Sequence, residues 1–226
     1  MSSGGSASEG ERETGRLEAF SDGVFAVAIT LLVLDLKVPP AGEGARRLGP
    51  ALLDQWPAYL GYAGSFLSIL IMWVNHHQMF RRIARVDHGL LFFNGLLLMA
   101  VTVVPFTTSL LSEYIGHREE RLAAVLYCGT FVLISLFWNL VWRYAAWRHR
   151  LLHSDLDEAA VARLSRRNAV GPPVYAAAVA VAVVNAVASV VFMIAIAVYW
   201  SLPGLSWSGL RRVAGDASDS DLAGPD

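Results

Sequence analysis

The chain has 226 residues, of which 55% are hydrophobic and only 16% charged, and its mean hydropathy is +0.46. That balance excludes an ordinary soluble domain and indicates an integral membrane protein. A formal net charge of -1 without any concentrated run of Lys and Arg excludes a nucleic-acid partner, and a single cysteine, Cys128, excludes a disulfide within the chain.

Residues 1–15 are rich in Ser, Gly and Glu and have no apolar core, so they read as a disordered tail rather than a signal peptide. Residues 205–226 are similarly small and acidic and take the same reading. The segment between them, 16–204, is the predicted membrane domain.

That domain opens with the most informative stretch of the chain. Arg16, Glu18, Ser21, Asp22 and Asp35 flank an uncharged run, 23–34, in what must otherwise be a membrane-spanning helix. Charges at membrane depth cost several kcal/mol unless paired or wetted, so this helix is expected inside a bundle or along an aqueous path. At 100° per residue Val27, Leu31 and Leu34 share one face, which Gly23 and Phe20 extend, and Thr30 lies about 60° to one side of Val27. Asp22 points roughly the other way, toward neighbouring helices.

Three more apolar windows, near 55–80, 89–112 and 122–142, are long enough to cross about 30 Å of hydrocarbon. The second span ends in Trp73-Val-Asn75-His76-His77, so that His76 or His77 and Asn75 can reach Asp22, and the third starts from the same side with Asn94. With Asp22 and Arg16 these residues form either a proton relay or a structural network fixing how three helices pack. The structural role is favoured, because no carboxylate lies at the midplane of the same path. Its members are taken as Arg16, Ser21, Asp22, Trp73, Asn75, His77 and Asn94.

The link over 143–167 carries His149, His153, Asp155, Asp157 and Glu158, yet has no recognised metal-ligand spacing, and it reads as a solvated amphipathic linker. Beyond it an uncharged run over 168–210 holds two breakers, Pro172-Pro173 and Pro203-Gly204. The part between them fits one strongly tilted helix or two short helices broken near Asn185 and Ser189. With six spans most arginines, including Arg81, Arg82, Arg85 and those of the 143–167 link, share a side with both termini, which are therefore predicted cytoplasmic. No nucleophile, metal or cofactor motif is present, so the chain is not expected to be an enzyme or to hold a cofactor. Arg outnumbers Lys 17 to one, a composition expected of a high-GC bacterium.

The string Arg16-x-x-x-Phe20-Ser21-Asp22 followed by Gly-Val-Phe-Ala-Val-Ala-Ile-Thr-Leu-Leu-Val-Leu-Asp-Leu resembles the signature first helix of the prokaryotic transmembrane protein 175 family of potassium channels. The Trp-x-Asn-His-His end of the second span resembles that family too, and the likeness extends from Arg16 to about Gly204. It implies an all-α, polytopic protein with six transmembrane helices, assembled as a homotetramer in a bacterial plasma membrane, its four first helices lining a pore for K+. The resemblance places the narrowest hydrophobic ring at Val27, a threonine layer at Thr30 and further apolar rings at Leu31 and Leu34. Relatives carry the longer Ile or Leu at the narrowest ring, so this pore is expected to leak other monovalent cations. A carbonyl filter of the Thr-Val-Gly-Tyr-Gly type is absent from the sequence. The competing expectation is a proton-coupled secondary transporter using Asp22 and His77.

Overall fold

The computed structural model describes residues 4–41, 47–154 and 156–201. Among the described residues the fold is all-α, and the one extended pairing is an antiparallel bridge between Ile83 and Leu152. Five helical segments are long and apolar enough to cross a bilayer: Arg12–Asp35, Trp56–Phe80, His88–Tyr114, Glu120–His149 and Glu158–Val184, followed by the shorter apolar Ala186–Trp200.

Helix α1 (Gly4–Leu31) continues into a 3-10 turn, Leu32–Asp35. Thr14, Leu17, Ser21, Phe25, Ala28 and Leu32 are buried, three or four residues apart, so one stripe of α1 packs into the bundle while the other stays open. The helix covers residues 4–15, where a disordered tail was expected. Thr14, two residues ahead of the motif, is buried with Leu17 inside it. The second tail, 205–226, lies outside the described residues.

A short helix α2 (Leu48–Leu53) leads into α3 (Trp56–Phe80), which begins with Pro57 in its first turn, where a missing N–H costs nothing. The third span is two helices in line, α4 (His88–Thr102) and α5 (Val104–Tyr114). Asp87 caps α4 by accepting from Leu90 N at 2.9 Å. Pro105 cannot donate to the turn before it, so the helix is interrupted at Val103.

Helix α6 (Glu120–Ala146) is the central partner, and α8 (Gly171–Val184) lies along it. Phe131 on α6 and Tyr175 on α8 meet across it at 5.7 Å between ring centroids, and Ala178 and Ala182 on α8 are fully buried. Small buried residues such as these alanines let helices approach closely in lipid. Helix α7 (Glu158–Ala169) precedes α8 and is capped by Asp157.

The run left open by the sequence is two helices. Asn185 adopts an extended backbone, φ -149 and ψ 114, ending α8, and its side-chain oxygen accepts from Ala188 N at 2.9 Å to start α9 (Ala186–Ser201). Asparagine at such a junction replaces the lost helical bonds with its own side chain. At 1.5 Å rise α9 is about 24 Å long, slightly short of a full hydrocarbon crossing.

Candidate ion-conduction site

The site is the open stripe of α1, and its position depends on how the opposite stripe is fastened. Ser21 Oγ donates to Leu17 O at 2.8 Å and accepts from Asn94 Nδ2 at 3.0 Å. Because the Asn94 amide nitrogen is committed to Ser21, its oxygen is the acceptor for His76 Nε2 at 2.9 Å. The proton therefore sits on Nε2 of His76, and each group in the chain His76, Asn94, Ser21, Leu17 donates to the next. Ser21, His76 and Asn94 are all fully buried.

His76 is enclosed by rings. It stacks on Phe80 at 4.3 Å between centroids and meets Phe25 and Trp138 edge-on at 5.3 and 6.2 Å. A polar link between α1, α3 and α4 is thus set in an aromatic shell, where hydrogen bonds strengthen and unpaired groups are costly.

The other expected members of the network lie elsewhere. Asp22 Oδ1 accepts from Trp73 Nε1 at 2.8 Å, tying α1 to α3. His77 pairs with Glu18 through Nδ1. Asn75 turns away from α1, donating to Ile71 O at 2.9 Å and accepting from Arg167 at 3.2 Å. Arg16 is exposed, outside the hydrogen-bonded chain. Asp22 and His77, the transporter pair, thus bond different partners.

Glu18 was not in the expected network, and His76, the alternative there to His77, bonds Asn94 rather than Asp22. The signal for His76 is positional: it sits seven residues after Ile69 and four before Phe80, both fully buried, so the register of α3 turns it inward.

The far end of the stripe is fastened as well. Asp35 Oδ1 accepts from Ser109 Oγ at 2.6 Å, and Lys37 Nζ donates to Glu113 Oε2 at 2.8 Å. With both ends held against α3, α4 and α5, the remaining face presents Phe20, Val27, Leu31 and Leu34, which are 63%, 55%, 42% and 74% exposed in the single chain. A Cβ built at Gly23 meets nothing within 4 Å, so the stripe is open there as well. Thr30 lies beside it, its hydroxyl donating back to Val27 O at 2.9 Å. That bond uses the proton and leaves the oxygen lone pairs free to accept from water or coordinate a cation.

Residues 16–105, which contain α1, α3, α4 and this network, match the family model described as the endosomal/lysosomal potassium channel TMEM175. A potassium channel of Chamaesiphon minutus is 46% identical over 194 residues, 85% of this chain and 95% of the relative. The chain belongs to the TMEM175 family. A potassium channel of Streptomyces collinus is also 46% identical, over 77% of this chain and 84% of the relative. The crystal structure of a lysosomal potassium-selective channel TMEM175 homolog from Chamaesiphon minutus superposes with a TM-score of 0.77 at 43% identity, covering 86% of this chain and all of that one. These TMEM175 relatives are channels, not enzymes, and the polytopic helical fold is theirs. Among the described residues no group of three or more His, Cys, Asp or Glu is placed to hold a metal ion.

Proposed function

We propose that this chain is one subunit of a homotetrameric, potassium-permeable channel, with 16–204 as its channel domain. The carrying observation is the two-faced first helix: one stripe is bonded into the bundle at both ends, and the opposite, mostly apolar stripe is exposed in the single chain. One helix cannot enclose a pore, but closed cyclic symmetry brings four copies of the same stripe to a common axis.

In this reading Val27 forms the narrowest ring, Thr30 a hydroxyl layer, and Leu31 and Leu34 apolar rings beyond it. Apolar rings gate by excluding water. They favour the less tightly hydrated potassium ion over sodium because they return little to an ion that sheds its shell. The free Thr30 lone pairs replace part of that shell. The buried His76, Asn94 and Ser21 chain, with Asp22 on Trp73, is the scaffold that fixes the angle of the pore helix. The names of the bacterial relatives support potassium as the permeant ion. The membrane is proposed to be the bacterial plasma membrane, with both termini cytoplasmic.

The test is single-channel recording of purified protein in bilayers under opposed potassium and sodium gradients. Unitary current steps with a reversal potential on the potassium side support the reading. Saturable flux without unitary steps overturns it.

A further inference from the structure

A second feature of the bundle lies away from α1. A partly open cavity of about 120 Å³ is bounded by α3, α6, α7, α8 and α9. At one end stand Arg82, just past the end of α3, and Arg167, near the end of α7, both half-buried. No Asp or Glu lines the cavity, and neither arginine has an ion pair among the described residues. The neutral groups that hold them orient the guanidiniums without neutralising them. Arg82 donates to the Gln78 carbonyl, and Arg167 donates to Asn75 Oδ1 at 3.2 Å while lying over the Trp200 ring, 5.6 Å from its centroid.

Two cations facing one half-buried space repel each other, with less screening than in open water. Burial first, and then the charges of Arg167 and Arg81, push the Arg82 guanidinium below its ordinary value. An anion between them relieves both penalties. Guanidinium forks match phosphate oxygens in particular.

Beyond the arginines the lining is mixed, with Asn75, Gln78, Ser135 and Asn139 set among a mostly apolar floor that includes Ile71, Met72 and Ile134. It follows α3 from Met79 back to Ser68, about 17 Å at the helical rise, and passes Ile134, Tyr175 and Met193. A soluble anion has no use for that floor, whereas a lipid acyl chain does. Basic pockets between transmembrane helices at the cytoplasmic end commonly hold anionic headgroups, and this is the end proposed above to face the cytoplasm.

We propose that this cavity is a binding site for an anionic phospholipid, its phosphate held between Arg82 and Arg167 and the start of one acyl chain laid along α3 and α9. The site goes beyond the channel reading and does not depend on it, because lipid retention is measured without ion flux.

The experiment uses delipidated full-length protein, titrated with phosphatidylglycerol and followed by native mass spectrometry and thermal unfolding. Phosphatidylcholine with the same chains and inorganic phosphate serve as comparison ligands. Arg82→Gln and Arg167→Gln are expected each to weaken phosphatidylglycerol retention about fivefold, and Arg85→Gln, an exposed arginine outside the cavity, to leave it unchanged. Should one of the two cavity variants fail to fold, the other still reads the site. Stabilisation by inorganic phosphate equal to that by the lipid, equal retention of phosphatidylcholine, or equal loss in Arg85→Gln overturns the proposal.

Discussion

Asn94 on α4 donates from Nδ2 to Ser21 Oγ on α1 at 3.0 Å, and through that one bond the third span sets the rotation of the first. Were α1 turned by a single residue, about 100°, Ser21 would leave Asn94 and Val27 would leave the open stripe together. Packing and pore geometry are one constraint.

Asn94→Ala strands both His76 Nε2 and the Ser21 oxygen in a dry site, where each lost partner costs about 1–3 kcal/mol. The variant is expected to melt markedly lower in detergent and to lose oligomer on a native gel. Asp22→Asn keeps an oxygen to accept from Trp73, so its assembly and its potassium flux in proteoliposomes are expected to persist. Loss of flux from an intact Asp22→Asn oligomer would point to a proton relay instead.

At the proposed constriction Val27→Ile adds one methylene to each of four copies and narrows the ring. The expected result is a higher potassium-to-sodium permeability ratio, read from reversal potentials in bilayers. Thr30→Val removes the free lone pairs while keeping the shape, and a several-fold fall in potassium conductance is expected, with Thr30→Ser restoring it. Equal permeability ratios for the native channel and the Val27→Ile variant would remove Val27 from the narrowest position.

The spans were legible because their signal is length and apolarity, and the open face of α1 because Val27, Leu31 and Leu34 repeat at helical spacing. The partners of the polar residues were less so. Asn75, His76 and His77 are neighbours in sequence, yet they face Arg167, Asn94 and Glu18. Each step turns the side chain by about 100°, so proximity in sequence says little about shared contacts. The buried register of α3 identifies His76 as the inward one. Asn185 was ambiguous for another reason: a polar residue in an apolar run is tolerated within a tilted helix or used as a cap, and only its extended backbone decides.

The ion pair between Lys37 and Glu113 tests how firmly the Asp35 end of the first span is held. The hydrogen bond that Lys37 donates to Glu113, then the charge of that carboxylate, raises the Lys37 ammonium above its ordinary 10.5. A raised folded-state value means that the contribution fades as pH rises from 10.5 through the raised value, and the lowered Glu113 carboxyl means that it is also lost as pH falls from 4.5 through that lowered value. Both groups are well exposed, so the contribution is about 0–1 kcal/mol. Lys37→Ala is expected to lower the melting temperature by no more than about 4 °C near neutral pH, and by nothing above the raised value. A larger drop would show that this turn depends on the pair more than on Asp35 and Ser109.

Gly89 gives the sharpest stability test. A Cβ at that position would stand 2.1 Å from the Tyr144 hydroxyl and 2.4 Å from the ring carbon bearing it. Tyr144 cannot simply swing aside, because its hydroxyl donates to Asp87 Oδ2 at 3.0 Å and accepts from Arg150 at 2.7 Å, and Arg150 itself reaches Asp87 at 2.8 Å. The same Asp87 caps α4 through its other oxygen, so moving the ring disturbs the start of the helix that carries Asn94. Gly89→Ala is therefore expected to destabilise by about 1–3 kcal/mol, the usual penalty for overpacking, despite alanine's better helix propensity. Combining it with Tyr144→Ala removes the clash, so the double variant should melt no lower than Tyr144→Ala alone. Full additivity of the two losses in thermal melts would mean that the glycine is needed for some reason other than the tyrosine above it.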